Sequence, residues 1–253
     1  MKTADRIGLA PENSRLASLA LIRERLLAER VPLGEEIAAY LRELIMSGQL
    51  RSGQSLNIET LAKDLETSAT PVREALLGLK GEGFVLMEPR RGFRVAPLSR
   101  QDVEDMFLIQ SMIAGELTAR AAAAATDQFI EEVSGLQAGM IEADRRSDDD
   151  ELERLNFEFH RTINRTTASP KLAWLLGLVV RYVPRIFYAT IAGWNEASLR
   201  DHAAIIDAIR DRDADAARRA MAQHIQHVGD LLVSHLEKQG FWSTAADAPV
   251  ISA

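Results

Sequence analysis

The hydrophobic residues of this chain recur mostly at helical spacing. In residues 14–30 they fall on one stripe of an amphipathic helix that Ser14 opens and Pro32 ends. A second helix is predicted over about 35–47, with an apolar face and Gly48 as its stop. The residues that follow, QLRSGQSL, have the composition of a turn-rich connector.

Two further helices follow, each with a polar residue at its start. Asn57 is placed to cap a short helix, and Ser68 to cap the next one, which has Pro71 in its first turn. The period then changes to that of β-strands in two short runs, 84–87 and 92–95, which a turn-like link separates. Three helices followed by two strands predict a winged helix-turn-helix.

From Ser99 onward the pattern predicts only helices. They cover about 99–125, 127–147, 149–167, 170–192, 195–212 and 213–238. Short connections favour antiparallel neighbours, so we expect a bundle of about six helices and a mostly α fold. The chain thus divides into an N-terminal helical extension, a winged helix-turn-helix domain, a helical domain and a tail, at 1–32, 33–98, 99–238 and 239–253.

Composition and charge restrict the possible functions. The 253 residues include no cysteine, which excludes disulfide frameworks and thiolate metal sites and fits a reducing compartment. Neither a membrane-spanning run nor the apolar core of a secretory signal is evident, so we expect a soluble, cytoplasmic protein with no membrane partner. The net charge of −7 arises mostly in residues 99–253, where sixteen Lys and Arg meet twenty-four Asp and Glu. The acidity therefore does not oppose DNA binding by the N-terminal part.

The second helix of the helix-turn-helix offers a face suited to DNA. That face, opposite the apolar one, carries Thr70, Arg73, Leu77 and Lys80. Arg73 can pair with guanine through two hydrogen bonds or clamp a phosphate, and Thr70 suits a phosphate or thymine contact. Arg90 and Arg91 lie on the turn of the wing, within reach of a minor groove or the DNA backbone. Each of these residues alone is also typical of a solvated surface, but their combination predicts DNA binding.

The N-terminal region contains the run ETLAKDLETSATPVREALLGLKGEGFVLMEPRRGFRV, of which TPVREAL is the most specific part. This run resembles the DNA-binding domain of the GntR family of bacterial regulators, and the resemblance extends over about 35–98. It implies DNA contacts by Thr70 and Arg73 and a tight wing turn at Gly92. The family commonly has Arg immediately before the Thr-Pro pair, whereas this chain has Ala69. This difference implies an operator unlike the family's usual one.

All five histidines lie in the C-terminal part, at His160, His202, His224, His227 and His235. Asn156 and His160 are four residues apart on one predicted helix, so they point the same way. Imidazoles that converge from several helices inside a bundle suit a divalent transition metal such as zinc. The spacing alone, however, is more typical of histidines on the surface or hydrogen-bonded in a core.

Four stretches of this part resemble the all-helical effector domain, called FCD, of the FadR branch of the GntR family. They read NFEFH, ASPKL, DHAAIIDAI and MAQHI, and the resemblance covers about 100–237. Six helices are more similar to its shorter, VanR-like form. The resemblance implies a zinc or nickel ion held by Asn156, His160, His202 and His224, with a small carboxylate as effector. Asn156 stands where Asp is commoner, and a neutral amide implies a weaker metal ligand.

The carboxylate of such an effector needs cationic partners. The family often places an Arg and a Glu in the first helix of this domain, and neither is evident around 110–115. Arg161, Arg165, Arg181 and Arg185 remain as candidates, and the last two share a helix face. That pair is also typical of a solvated stripe.

The sequence therefore predicts a homodimeric transcription regulator, most simply a repressor. A small organic acid would enter the metal-containing domain and change binding to a palindromic operator in double-stranded DNA. One alternative is a metal-dependent enzyme fused to a DNA-binding head, although the chain lacks HExxH, GxSxG and P-loop motifs. Another is a constitutive DNA-binding dimer without an effector. We expect a regulator and not an enzyme.

Overall fold

The computed structural model describes residues 32–181 and 191–244, and the chain divides into two compact units. The first unit comprises Met1–Ser99 with Phe241–Ala253, and the second comprises Arg100–Gly240. The predicted helix at 14–30 and most of the predicted tail lie outside the described residues.

Three helices lie in the described part of the first unit: α1 Leu33–Met46, α2 Ile58–Asp64 and α3 Ala69–Gly81. Asn57 caps α2 as predicted, because its Oδ1 accepts a hydrogen bond from the backbone N–H of Thr60 at 2.9 Å. Ser68 occupies the N-cap position of α3, but its side chain makes no capping hydrogen bond with any described residue. The position was predicted correctly, and the capping bond was not.

The wing is a three-stranded antiparallel sheet made of β1 Ser55–Leu56, β2 Val85–Glu88 and β3 Gly92–Val95. Its order is β1-β3-β2, with Leu56 opposite Phe93 and Glu88 opposite Gly92. Interpreting the segment before Asn57 purely as a turn-rich connector was wrong, because its last two residues form β1. A two-residue strand is too short to show the alternation that predicts strands.

The apolar faces of α1 and α3 pack together to form the core of the first unit. Leu41 of α1 is fully buried, and so are Val72, Leu76 and Leu79 of α3. The apolar stripe predicted for α3 is therefore the one that is buried, and its polar face is left toward solvent.

Six helices form the described part of the second unit: α4 Arg100–Ala123, α5 Asp127–Arg145, α6 Asp149–Thr166, α7 Pro170–Val180, α8 Trp194–Arg210 and α9 Ala214–Lys238. α4 packs along α9, α5 along α6, and α8 against both α9 and α5. The predicted helix over 170–192 instead ends at Val180, and 182–190 lie outside the described residues. No helix within the described ranges is long and apolar enough to cross a membrane. The mostly α fold with a six-helix second part is confirmed.

Candidate metal centre and DNA-binding face

The solvent face of α3 carries the residues predicted to read DNA. Thr70, Arg73, Leu77 and Lys80 are all exposed, opposite the buried stripe of the same helix. Within the described part of the chain, neither Arg73 nor Lys80 forms an ion pair. Both cations are therefore available to a phosphate or a base edge.

The turn of the wing has a backbone conformation that its sequence explains. The N–H of Arg91 donates to the carbonyl of Glu88 at 3.1 Å, and Pro89 stands at the second position of this turn. Arg90 follows with a φ of 65°, as the third position of a type II turn requires. Gly92 has a φ of 84°, where glycine pays no steric cost. Both arginines are exposed at this turn.

Three histidines from three helices converge inside the second unit. His160 of α6, His202 of α8 and His224 of α9 each offer one ligand atom, and these atoms lie within 4.8 Å of one another. The ring centroid of His202 lies 5.1 Å from that of His160 and 4.7 Å from that of His224. His202 is fully buried and His224 is 3 % exposed. Such a cluster has the residue type and the spacing of a transition-metal site.

Several polar atoms of this cluster are buried without a hydrogen-bond partner among the described residues. They are Oδ1 of Asn156, Nε2 of His202 and Nδ1 of His224. Asn156 lies one helical turn before His160 on α6. More than nine in ten buried polar groups are normally hydrogen-bonded, so this concentration of unbonded acceptors calls for an explanation. One amide oxygen and three imidazoles fit a zinc or nickel ion.

Two of the three imidazoles, those of His160 and His202, are held in the neutral form that metal binding requires. Burial, followed by the charge of His224, lowers the pKa of His160 to about 3. Burial also lowers the pKa of His202 well below its ordinary value, with further contributions from His224 and His160. Neutral nitrogens keep the lone pairs that a cation needs.

Two residues that the sequence analysis did not select contact the histidines. Gln137 of α5 places its Oε1 3.3 Å from Nδ1 of His202. Asp201 of α8 places Oδ2 2.9 Å from Nδ1 of His227 and 3.6 Å from Nδ1 of His224. The second distance exceeds that of a hydrogen bond.

Asp201 is the acidic group next to this cluster. Partial burial acts to raise its pKa, but the interactions with the nearby His224 and with the hydrogen-bonded His227 outweigh burial and bring the pKa to about 2. Its Oδ1 also lies 3.2 Å from the guanidinium of Arg200. Asp201 is therefore a carboxylate at neutral pH.

A signal in the sequence could have revealed Gln137. It stands at helical spacing in a stripe of α5 whose other members, Phe129, Val133 and Met140, are buried and apolar. A polar residue in such a stripe needs a buried partner, and here that partner is His202. No comparable signal marks Asp201, because position 201 follows Arg200 on a mixed helix surface.

Three of the four arginines predicted to bind an effector are exposed. Arg161 forms an ion pair with Glu158 at 2.9 Å, and both side chains are partly exposed. Arg165 and Arg181 are exposed, and Arg185 lies outside the described residues. Gln110, in the helix where the family often has Arg and Glu, is buried.

Comparison with known proteins agrees with this arrangement. The family model described as bacterial regulatory proteins, gntR family, matches residues 33–95, and that of the FCD domain matches residues 105–227. The chain belongs to the GntR family, with an FCD domain. The family resemblance inferred from the sequence is confirmed, and so is the expectation of a transcription regulator and not an enzyme.

Individual GntR-family relatives span most of the chain. The transcriptional repressor RspR of Escherichia coli K12 is 28 % identical over 215 residues, which cover 83 % of this chain and 93 % of RspR. The repressor NanR of Enterobacter sp. 638 is 29 % identical over 245 residues, which cover 88 % and 93 %. The structure of E. coli McbR/YncC has the same fold, with a TM-score of 0.61, 24 % identity, and coverage of 81 % of this chain and 99 % of that one.

Proposed function

We propose that this GntR-family regulator is a repressor whose operator binding changes when a small carboxylate binds at a divalent metal ion in its FCD domain. The convergence of three histidines, two of them buried, with the unbonded oxygen of Asn156 carries the proposal. The names of the relatives RspR and NanR, both called repressors, support the direction of regulation.

Asn156, His160, His202 and His224 would hold the ion, through one amide oxygen and three ring nitrogens. A zinc or nickel ion held there would supply a positively charged Lewis acid for a carboxylate oxygen of the effector. Since all four protein ligands are neutral, they leave the ion its full positive charge, which favours an anionic effector. We assign further effector contacts to Arg161, Arg181 and Arg185.

The DNA contacts would come from α3 and the wing. Arg73 and Lys80 supply cations on the exposed face of α3, and Thr70 a hydroxyl in its first turn. Arg90 and Arg91 supply charge at the wing, where Gly92 permits the tight turn. A helix placed this way binds one half-site in the major groove, so two protomers on a palindromic operator are expected.

A homodimer is also supported by apolar side chains left exposed on two helices of the FCD domain. α4 and α7 pack against each other, and their exposed large apolar residues are Leu108, Ile109, Met112, Trp174, Leu175, Leu178 and Val180. Exposed apolar side chains grouped on neighbouring helices are typical of an interaction site. A second copy of the chain would cover them and supply a second α3 for the other half-site.

The test combines metal analysis with operator binding. Purified wild type should contain about one zinc or nickel ion per chain, and His202→Ala should contain none. Fluorescence anisotropy with labelled operator DNA should then show that small mono- and dicarboxylates shift the affinity of the metal-loaded wild type but not of His202→Ala. His235→Ala, at a histidine outside the cluster, should behave as wild type. If no carboxylate changes operator affinity, the effector part of the proposal is wrong.

A further inference from the structure

Gln137 makes two hydrogen-bonding contacts from a buried position on α5. It is 7 % exposed and lies within the apolar stripe of that helix. Its Nε2 donates to the backbone carbonyl of Leu199 at 2.8 Å, and its Oε1 lies 3.3 Å from Nδ1 of His202. Both partners belong to α8.

These contacts determine which nitrogen of His202 carries the proton. Because Nε2 of Gln137 is used as the donor to Leu199, the amide faces His202 with its oxygen, which can only accept. Nδ1 of His202 must therefore be the donor, and the lone pair of the neutral ring lies on Nε2.

The plane of the same ring is fixed by an aromatic neighbour. Phe159 stacks on His202 with a centroid distance of 4.2 Å and an interplanar angle of 19°. Nε2 of His202 is buried and has no hydrogen-bond partner among the described residues. A fixed plane and a fixed proton leave this nitrogen as the atom that His202 offers to the His160–His224 cluster.

We propose that Gln137 is a positioning residue of the metal centre, which holds His202 as its Nδ1–H tautomer and so presents Nε2 to the ion. The proposal rests on the metal site of the proposed function. Groups that bond the second nitrogen of a metal-bound histidine fix its orientation, and their loss typically weakens metal binding by about tenfold to a hundredfold.

Two substitutions separate the acceptor role of Gln137 from its packing. Gln137→Met keeps a side chain of similar size but removes the acceptor. Gln137→Glu keeps an oxygen for Nδ1–H, although it cannot donate to Leu199 as a carboxylate. Val133→Ala, one turn away on the same buried stripe, is the control for lost packing alone.

The first readout is the tautomer of His202 in metal-free protein labelled with ¹⁵N-histidine, assigned by comparison with His202→Ala. Wild type and Gln137→Glu should show the Nδ1–H form, whereas Gln137→Met should populate the Nε2–H form. The proposal is overturned if Gln137→Met keeps the Nδ1–H form. This measurement needs no metal, so it decides the role of Gln137 even if the metal site itself is wrong.

The second readout is zinc affinity, measured by competition with a chromophoric chelator. Gln137→Met should bind zinc about tenfold to a hundredfold more weakly than wild type, and Gln137→Glu should recover most of the loss. Val133→Ala should lower the unfolding temperature without changing zinc affinity. Equal affinities of Gln137→Met and wild type would overturn the proposal, while a wild type that binds no zinc would overturn the proposed metal site.

Discussion

Arg42 of α1 and Glu82, the C-cap residue of α3, form a bidentate ion pair in the DNA-binding unit. Nε of Arg42 lies 2.7 Å from Oε2 of Glu82, and Nη2 lies 3.2 Å from Oε1. The arginine side chain is only 9 % exposed, and that of the glutamate 22 %. The pair therefore links the C-terminal end of α3 to α1 in surroundings that screen charge weakly.

Arg42→Met should destabilise the protein, because it leaves Glu82 half-buried without its cation. Loss of one partner of a fully buried pair costs about 3–5 kcal/mol, and the partial exposure of Glu82 reduces the expected loss to about 2 kcal/mol. The double variant Arg42→Met with Glu82→Leu should recover part of that loss. Urea unfolding measures both changes. Equal stability of the single and double variants would show that the uncompensated carboxylate is not the cause.

Arg73→Ala should weaken operator binding by about tenfold to a hundredfold, since a bidentate contact with a base contributes about 1–3 kcal/mol. Arg73→Lys should restore the salt dependence but not the sequence preference, because lysine keeps the charge and loses the planar fork. Lys63→Ala, an exposed cation near the end of α2, is the matched control. The measurement is anisotropy on specific and scrambled DNA. Equal losses on both sequences would indicate a phosphate contact only.

The elements of this protein follow closely from its local sequence. Helical periodicity predicted most helix ends of the second unit to within a few residues. Asn57 predicted the start of α2, because a single hydrogen bond to the side chain of the residue before the helix caps it. β1 escaped prediction since its pairing with β3 depends on residues about forty positions away. A strand of two residues is too short to show the alternation of polar and apolar positions that predicts strands.

The metal cluster was predictable only in part. The family resemblance identified His160, His202 and His224, which the structure brings together. Gln137 and Asp201 depend on how α5, α8 and α9 pack, so sequence spacing alone does not place them beside the histidines. The roles of the exposed arginines stay predictions.

Asn156→Asp should destabilise the metal-free protein and strengthen metal binding. A carboxylate in place of the buried, unbonded amide oxygen is costly without a cation, so the unfolding temperature in chelator should fall. The added negative charge should raise zinc affinity by about tenfold or more. Differential scanning fluorimetry with and without zinc measures the two effects. Unchanged zinc affinity would mean that residue 156 is not a ligand.

Met112→Glu should shift the protein from dimer to monomer. Met112 of α4 is 66 % exposed within the apolar set on α4 and α7, and a buried, unpaired carboxylate there opposes association. Ile141→Glu is the matched control, because Ile141 lies on α5, outside this set, and is 37 % exposed. Sedimentation velocity at micromolar concentration distinguishes the two. A dimeric Met112→Glu, or a wild type that is monomeric, would place the dimer interface elsewhere or remove it.

The buried histidines should make the metal-free protein sensitive to acid. Burial lowers the pKa of His160 to about 3 and that of His202 well below the ordinary value of 6.5. In the unfolded chain both imidazoles take up protons below about pH 6.5, whereas in the folded chain they do not. The unfolded state therefore binds more protons in this range. The free energy of unfolding is consequently highest above about pH 6.5 and falls as the pH is lowered toward 3. Urea unfolding in chelator, at pH values between about 7.5 and 5, should show this decline, and His202→Gln should show a shallower one. If the two slopes are the same, His202 is not kept neutral by the fold.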